Sequence, residues 1–157
     1  MFTIKLNLGR IMVLLIVLHL FSFVSLCYCQ ITEKVASDDR KAILEKQFPV
    51  LKDELERNFP REEVIEKWSD KVRKEYPSLL YMIIMNSENK LVNSFFREGV
   101  ASSAPALQKS FQAVNKLLMK EETFHQDLGG SQVIVSHEKL VIEMDTYYFE
   151  FGFGPIP

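Results

Sequence analysis

Apolar residues crowd the chain from Ile11 to Leu26, interrupted only by His19, Ser22 and Ser25. Beyond Gln30 they thin out and take up a helical spacing. Ser37 or Asp38 is placed to cap a helix starting at Asp39, and Ala42, Ile43, Lys46 and Val50 recur at short helical intervals. Leu44, Phe48, Leu51, Leu55 and Phe59 form a second stripe. Pro49 lacks an N–H and crowds the preceding turn, so the spacing predicts a kinked amphipathic region over 30–60. Pro60 suits the first turn of a new helix, Arg61 to Lys74, with Glu62 and Glu63 at its positive end. Val64, Ile65, Trp68 and Val72 give that helix one apolar face, where Trp68 reads as a core anchor rather than a pocket wall. Tyr76-Pro77 ends it.

The pattern then switches to strands. Tyr81 to Met85 is a nearly continuous apolar run, Asn86 to Lys90 has turn composition, and Leu91 to Phe95 returns as a second strand. A loop over Arg97 to Pro105 leads to a helix predicted to run to about Glu122. It buries Leu107, Phe111, Val114, Leu117 and Leu118, and it keeps Lys109, Gln112, Lys116 and Lys120 wet. Leu128-Gly129-Gly130 reads as a hinge. Three strands are predicted after it: Gln132 to Ser136, Lys139 to Met144 beyond a turn at His137-Glu138, and Tyr147 to Phe153. In the last, Tyr147, Phe149, Phe151 and Phe153 share one face, while Tyr148, Glu150 and Gly152 share the other. The expected fold is α+β, in the order α-α-β-β-α-β-β-β. Its five-stranded antiparallel sheet carries helices over one face, and the domain occupies 61–153 with a short tail at 154–157.

Composition changes this picture at the N-terminus. Lys5 and Arg10 precede the apolar block with no acidic residue among the first 29, which is the build of a signal peptide or an anchor over 1–29. Cleavage after Cys27 or Cys29 would leave a secreted chain. Retention would leave it extracytoplasmic and held in a membrane by residues 11–26, a short span for a bilayer. Both cysteines fall in this segment, so the remainder has none and must rely on its core. With 19 basic and 21 acidic residues, the chain lacks the basic stripe a nucleic-acid partner would require.

Candidate chemistry is sparse. Glu121 and His125 lie four apart on the predicted helix, a spacing metals use, with Glu122, Asp127, His137 and Glu138 nearby. Ser102, Ser103, His125, His137 and Asp145 supply the residue types of a catalytic triad without a nucleophile elbow. Gly129-Gly130 lacks the Lys-Ser/Thr of a phosphate loop. The expectation is a protein that is not an enzyme and needs no cofactor.

The run from Pro77 to Val92 resembles the opening of roadblock-type domains, with Ala104–Glu122, Leu128-Gly129 and the runs from Gln132, Lys139 and Tyr147 as matching later pieces. That resemblance implies a non-enzymatic scaffold that dimerises or pairs with a similar domain, with Phe111, Gln112, Lys116 and Tyr148 as the possible interface. The order also resembles extracytoplasmic PAS-like and Cache sensor domains, through Tyr76 to Tyr81 and the turn at Asn86 to Lys90. This second resemblance implies a small-ligand pocket between the sheet and the loop Arg97 to Pro105, with Tyr81, Asn93, Arg97 and Tyr147 as its polar groups. A cavity of roughly 300 Å³ or more between the sheet and that loop would favour the sensor, and an exposed apolar edge or helix face with no internal cavity would favour the scaffold.

Overall fold

The structure, a computed structural model, describes residues 8–116, 119–128 and 131–155. Lys5, Leu117, Leu118, the Gly129-Gly130 hinge and the last two residues lie outside that set.

Helix α1 (Leu8–Ala42) runs unbroken from the apolar segment into the folded part, and a π turn (Ile43–Gln47) joins it to α2 (Phe48–Arg57). The π turn sits just before Pro49. Its wider ring, with the Phe48 N–H bonded to the Ile43 carbonyl, takes up the crowding that Pro49 imposes, so the predicted kink becomes a local widening. Pro60 caps α3 (Arg61–Glu75). The apolar start of α1 is long and apolar enough to cross a membrane, with mean hydropathy 2.4 and none of it buried against the protein.

Strands β1 (Leu79–Asn86), β2 (Leu91–Phe96), β3 (Glu122–Leu128), β4 (Ser131–Ile142) and β5 (Asp145–Phe153) form one sheet in the order β2-β1-β5-β4-β3. Every neighbouring pair is antiparallel. A 3-10 segment (Glu98–Ser103) and α4 (Ala104–Ala113) connect the two halves. The α+β class and the element order are those the pattern predicts.

Three details differ. Helices cover both faces of the sheet rather than one: α1, α2 and α3 lie on the face carrying Met82, Ile84, Phe149 and Phe151, and α4 lies on the face carrying Tyr81, Ile83, Val135 and Tyr148. This is why β1 is an unbroken apolar run, since both of its faces are buried. The central helix stops at Ala113, where Val114 turns extended, well short of Glu122. In place of its expected last turns, residues 114–116 and 119–121 are irregular and lead to β3, an exposed edge strand with too few apolar residues to show a period. Finally, β4 passes through His137-Glu138 without turning. Its polar residues there find partners across the sheet and in each other: Ser136 Oγ donates to Glu138 at 2.9 Å, and His137 pairs through Nε2 with Glu150.

The α1–α3 face holds the larger core. Trp68, Phe48, Phe149 and Phe151 pack edge to face with centroids 4.8–6.4 Å apart. Trp68 Nε1 donates to the Gln47 carbonyl in the π turn at 3.1 Å, so the lone tryptophan is a core anchor. Ala36, Ile43, Leu51 and Leu55 belong to this same core, so residues 36–57 pack as part of the domain that starts at Arg61. Polar ties fix α1 in place. Ser78 donates to Asp39 through its hydroxyl at 2.6 Å, and Arg40 donates to the Thr123 hydroxyl at 2.9 Å.

Candidate functional site

The α4 face buries a polar group at the middle of the sheet. β5 is the central strand, and Glu150 is the one acidic residue in its inward-facing run, 6% exposed. Two neighbouring strands bring it partners. From β1 comes Tyr81, whose hydroxyl donates to Glu150 Oε1 at 3.2 Å; from β4 comes His137, whose Nε2 lies 2.8 Å from Oε2.

Local backbone aims Tyr81. The register of β1 against β5 shifts between Leu79 and Tyr81, so Leu80 and Tyr81 both face α4. The Tyr81 ring then lies flat over Gly152, between that glycine and Phe96, which stacks on it at 5.8 Å. A Cβ at position 152 would fall inside the ring. Burial, reinforced by the neighbouring Glu150, holds the Tyr81 phenol above its ordinary pKa, so it stays a donor.

His137 is 4% exposed and set between the rings of Phe111 and Phe124, at 5.4 and 5.2 Å. An ionised Glu150 only accepts hydrogen bonds, so Nε2 carries the proton in that pair and the Nδ1 of a neutral ring is left as an acceptor. Nδ1 is buried and has no hydrogen-bond partner. The nearest acidic oxygen, Glu122 Oε1 on β3, is 3.6 Å away, beyond hydrogen-bond reach.

Lys116 closes this region from above. Its ammonium donates to the Phe111 carbonyl at the end of α4 and sits 3.4 Å above the centroid of the Phe111 ring. Burial pushes its pKa down to about 8, against an upward pull from Glu150. Phenol, carboxyl, imidazole and amine thus meet under one short helix and the irregular segment that follows it. A buried carboxyl is costly unless bonded, and here each bond comes from a different element.

The residues expected at an interface are placed differently. Phe111 is fully buried and Lys116 is 6% exposed, so neither offers surface to a partner. Lys116 leaves the wet face because the helix ends before it and the chain folds back over Phe111. Tyr148, expected to be exposed, is 5% exposed because α4 covers its face and Lys139 lies over its ring. Gln112 is exposed and donates to the Asn89 carbonyl at 3.4 Å.

Nor do the four expected pocket residues converge. Tyr81 and Tyr147 point to opposite faces of the sheet, and Asn93 stands on the face of Ile84, away from Tyr81. Arg97 is a clamp: Nε donates to the Leu79 carbonyl at 2.7 Å, and Nη2 donates to the carbonyls of Arg73 and Tyr76 at 2.8 and 3.3 Å. Beside it lies an open groove of about 530 Å³ between the end of α3 and β2. Of the three cations that line it, Arg97 is engaged with those carbonyls and Arg73 with Asp70 at 3.1 Å, while Lys74 is exposed.

The metal and triad combinations also separate. Glu121 and His125 sit on and beside a strand, where four residues span about 13 Å, too far for one ion. Among the described residues no group of three or more His, Cys, Asp or Glu could hold a metal. Asp145 pairs with Arg61 at the far end of β5, remote from either serine, and His137 is committed to Glu150. Sequence reasoning named His137 among metal and triad candidates but missed its pairing with Glu150, Glu150 itself and the inward turn of Lys116. The available signal was Glu150, a lone carboxylate in the run Tyr147 to Phe153, which is otherwise aromatics and glycine. Compared with known proteins, the chain matches no family model and no curated protein.

Proposed function

We propose that this protein is a non-catalytic sensor of a small polar ligand, held outside the cytoplasm by the apolar part of α1. The observation that carries the reading is the Tyr81–Glu150–His137 group beneath α4. Polar side chains at the centre of a small sheet cost stability relative to apolar ones, and a convergent group of them supports a recognition role. His137 Nδ1 asks for a donor and the Lys116 ammonium has capacity for an acceptor, so the ligand presents both. The closed α4 face supports this reading over self-association through the central helix.

The scaffold reading keeps one supporting feature. At the far end of the sheet Phe59 is 72% and Met144 98% exposed, on either side of Arg61, whose guanidinium lies over Phe59 and pairs with Glu143 and Asp145. That end could receive a protein.

The test is thermal unfolding of the detergent-solubilised full chain against a panel of amines, amino acids, organic acids and sugars. Ligand at 100 times its Kd stabilises by about 2.7 kcal/mol, a shift of several degrees in Tm. The shift should vanish in Glu150→Gln and Lys116→Met. A panel without any shift, or shifts unaffected by both substitutions, sinks the reading.

A further inference from the structure

The two edges of the sheet are defended unequally. β3, the outer strand on one side, exposes Glu122, His125 and Asp127, the kind of charge that keeps an unpaired edge from joining another chain. β2, the outer strand on the other side, reads Leu-Val-Asn-Ser-Phe-Phe, with no charged residue and no proline. Its one irregularity, opposite Ile84 and Met85, lies at its start and leaves Asn93 to Phe96 in regular register. The Arg97 N–H donates to the Leu80 carbonyl at 2.8 Å. Strand alternation then turns the backbone groups of Phe95 and Asn93 to β1 and those of Phe96 and Ser94 away from the sheet.

The groove beside the end of α3 runs along this same edge. Phe95 and Phe96 both line it, together with Arg73, Lys74, Pro77 and Arg97. Those two rings leave opposite faces of the sheet, Phe95 towards the α1–α3 core and Phe96 towards α4, so a space touching both lies at the edge between them. Its walls are fixed, because Arg97 ties a β1 carbonyl to the end of α3. Its charge is positive. Asp70 offsets Arg73 and Gln47 engages Glu75, but among the described residues the Lys74 ammonium has no ion-pair partner, and Arg97 uses only Nε and Nη2.

We propose that β2 and this groove receive an extended acidic segment of another protein, which pairs with β2 as an added strand. The outward N–H and C=O groups of Ser94 and Phe96 select a main chain, because only another strand matches their alternation. Lys74, Arg73 and Arg97 select acidic side chains, since every second residue of an added strand faces α3. A small anion would meet the cations and leave the edge unpaired. The contact does not involve the polar group beneath α4, so it goes beyond the sensor reading and is independent of it.

The experiment titrates the full chain, in phosphatidylcholine nanodiscs, with short fluorescent peptides and follows their anisotropy. The peptides carry glutamate at every second position, with valine, threonine or phenylalanine between. At least one should bind with Kd below about 1 mM, and the lysine counterparts should not bind. Lys74→Glu, on the surface, should weaken binding about tenfold. Ser94→Pro removes an outward N–H that β1 does not use, so it should keep the fold, read by circular dichroism, and abolish binding. Methylating the backbone nitrogens of the peptide should abolish binding while leaving the protein untouched. No binding across the panel, or equal binding of the lysine peptides, overturns the proposal. Binding that survives both Ser94→Pro and methylation overturns the strand pairing and leaves an anion site only. Equal signal from empty nanodiscs overturns it as adsorption to lipid.

Discussion

The two faces of the sheet are built on opposite principles, although the same strands supply both. Towards α1, α2 and α3, β5 presents Tyr147, Phe149, Phe151 and Phe153 to Trp68 and Phe48, and apolar contact accounts for the cohesion. Towards α4 the same strand presents Tyr148, Glu150 and Gly152, and the apolar cluster of Ile83, Leu107, Phe111 and Val135 there surrounds a carboxylate that needs both its bonds. The first face should tolerate damage in proportion to the volume removed. The second should behave as a unit, in which one loss strands the remaining partners.

The largest effect is expected on the aromatic face. Phe151→Ala removes a fully buried ring in contact with Phe48, Trp68, Phe149 and Phe153, and should cost about 3–5 kcal/mol in urea unfolding. A loss under about 1 kcal/mol, below the usual range for such a truncation, would mean that this face is not the main core.

The polar face should show a different signature. Glu150→Leu leaves the Tyr81 hydroxyl and His137 Nε2 buried without an acceptor, at about 1–3 kcal/mol for each group so stranded. Adding Tyr81→Phe and His137→Leu should recover most of that loss instead of increasing it, because the stranded donors are then gone. If the three substitutions add like the aromatic ones, the two faces do not differ in kind.

The smallest effect is a pH dependence confined to the polar face. Lys116 has a folded pKa of about 8 against an ordinary 10.5. Between those values the unfolded chain holds the proton and the folded chain has released it, so stability rises with pH across that window. Below about pH 8 both states are protonated and the full penalty of the buried charge applies. Lys116→Met should therefore be more stable than the parent near neutral pH, with the gap narrowing as pH climbs towards 10. Above that, the raised Tyr81 pKa works in the other direction, because the unfolded phenol ionises first. A gap independent of pH from 7 to 10 would show that Lys116 is not buried.

Much of the aromatic face was legible because it follows simple periods. Trp68 on a helical stripe, Phe149 and Phe151 on a two-residue alternation, and the β1–β2 hairpin around Asn86 to Lys90 each show their environment in their spacing. The polar face was not legible, for identifiable reasons. Lys116 occupies a helical position that would be wet if the helix continued, and nothing local marks the stop at Ala113. His137-Glu138 has the composition of a turn, and only its pairing with Glu150, thirteen positions later and on another strand, explains why the chain runs straight through. The edge strand β3 hides for a related reason. Its apolar content is low, and its order comes from β4 and from the Arg40 bond to Thr123. Long-range satisfaction of polar groups decides these segments, and a local window does not contain it.

Because β5 is two-sided, its alignment is also a form of error checking during folding. Sliding it by a single residue would bring Glu150 into the aromatic layer and push Phe149 and Phe151 under α4, so every side chain would be misplaced at once. Two stops oppose the slide. At one end the Arg61 pairs hold the β4–β5 turn, and at the other only a glycine at 152 admits the Tyr81 ring. A strand misaligned by one residue would meet that ring with a phenylalanine and be rejected. The missing side chain at position 152 therefore works as a key cut, through which the chain distinguishes its correct pairing from the nearest wrong one.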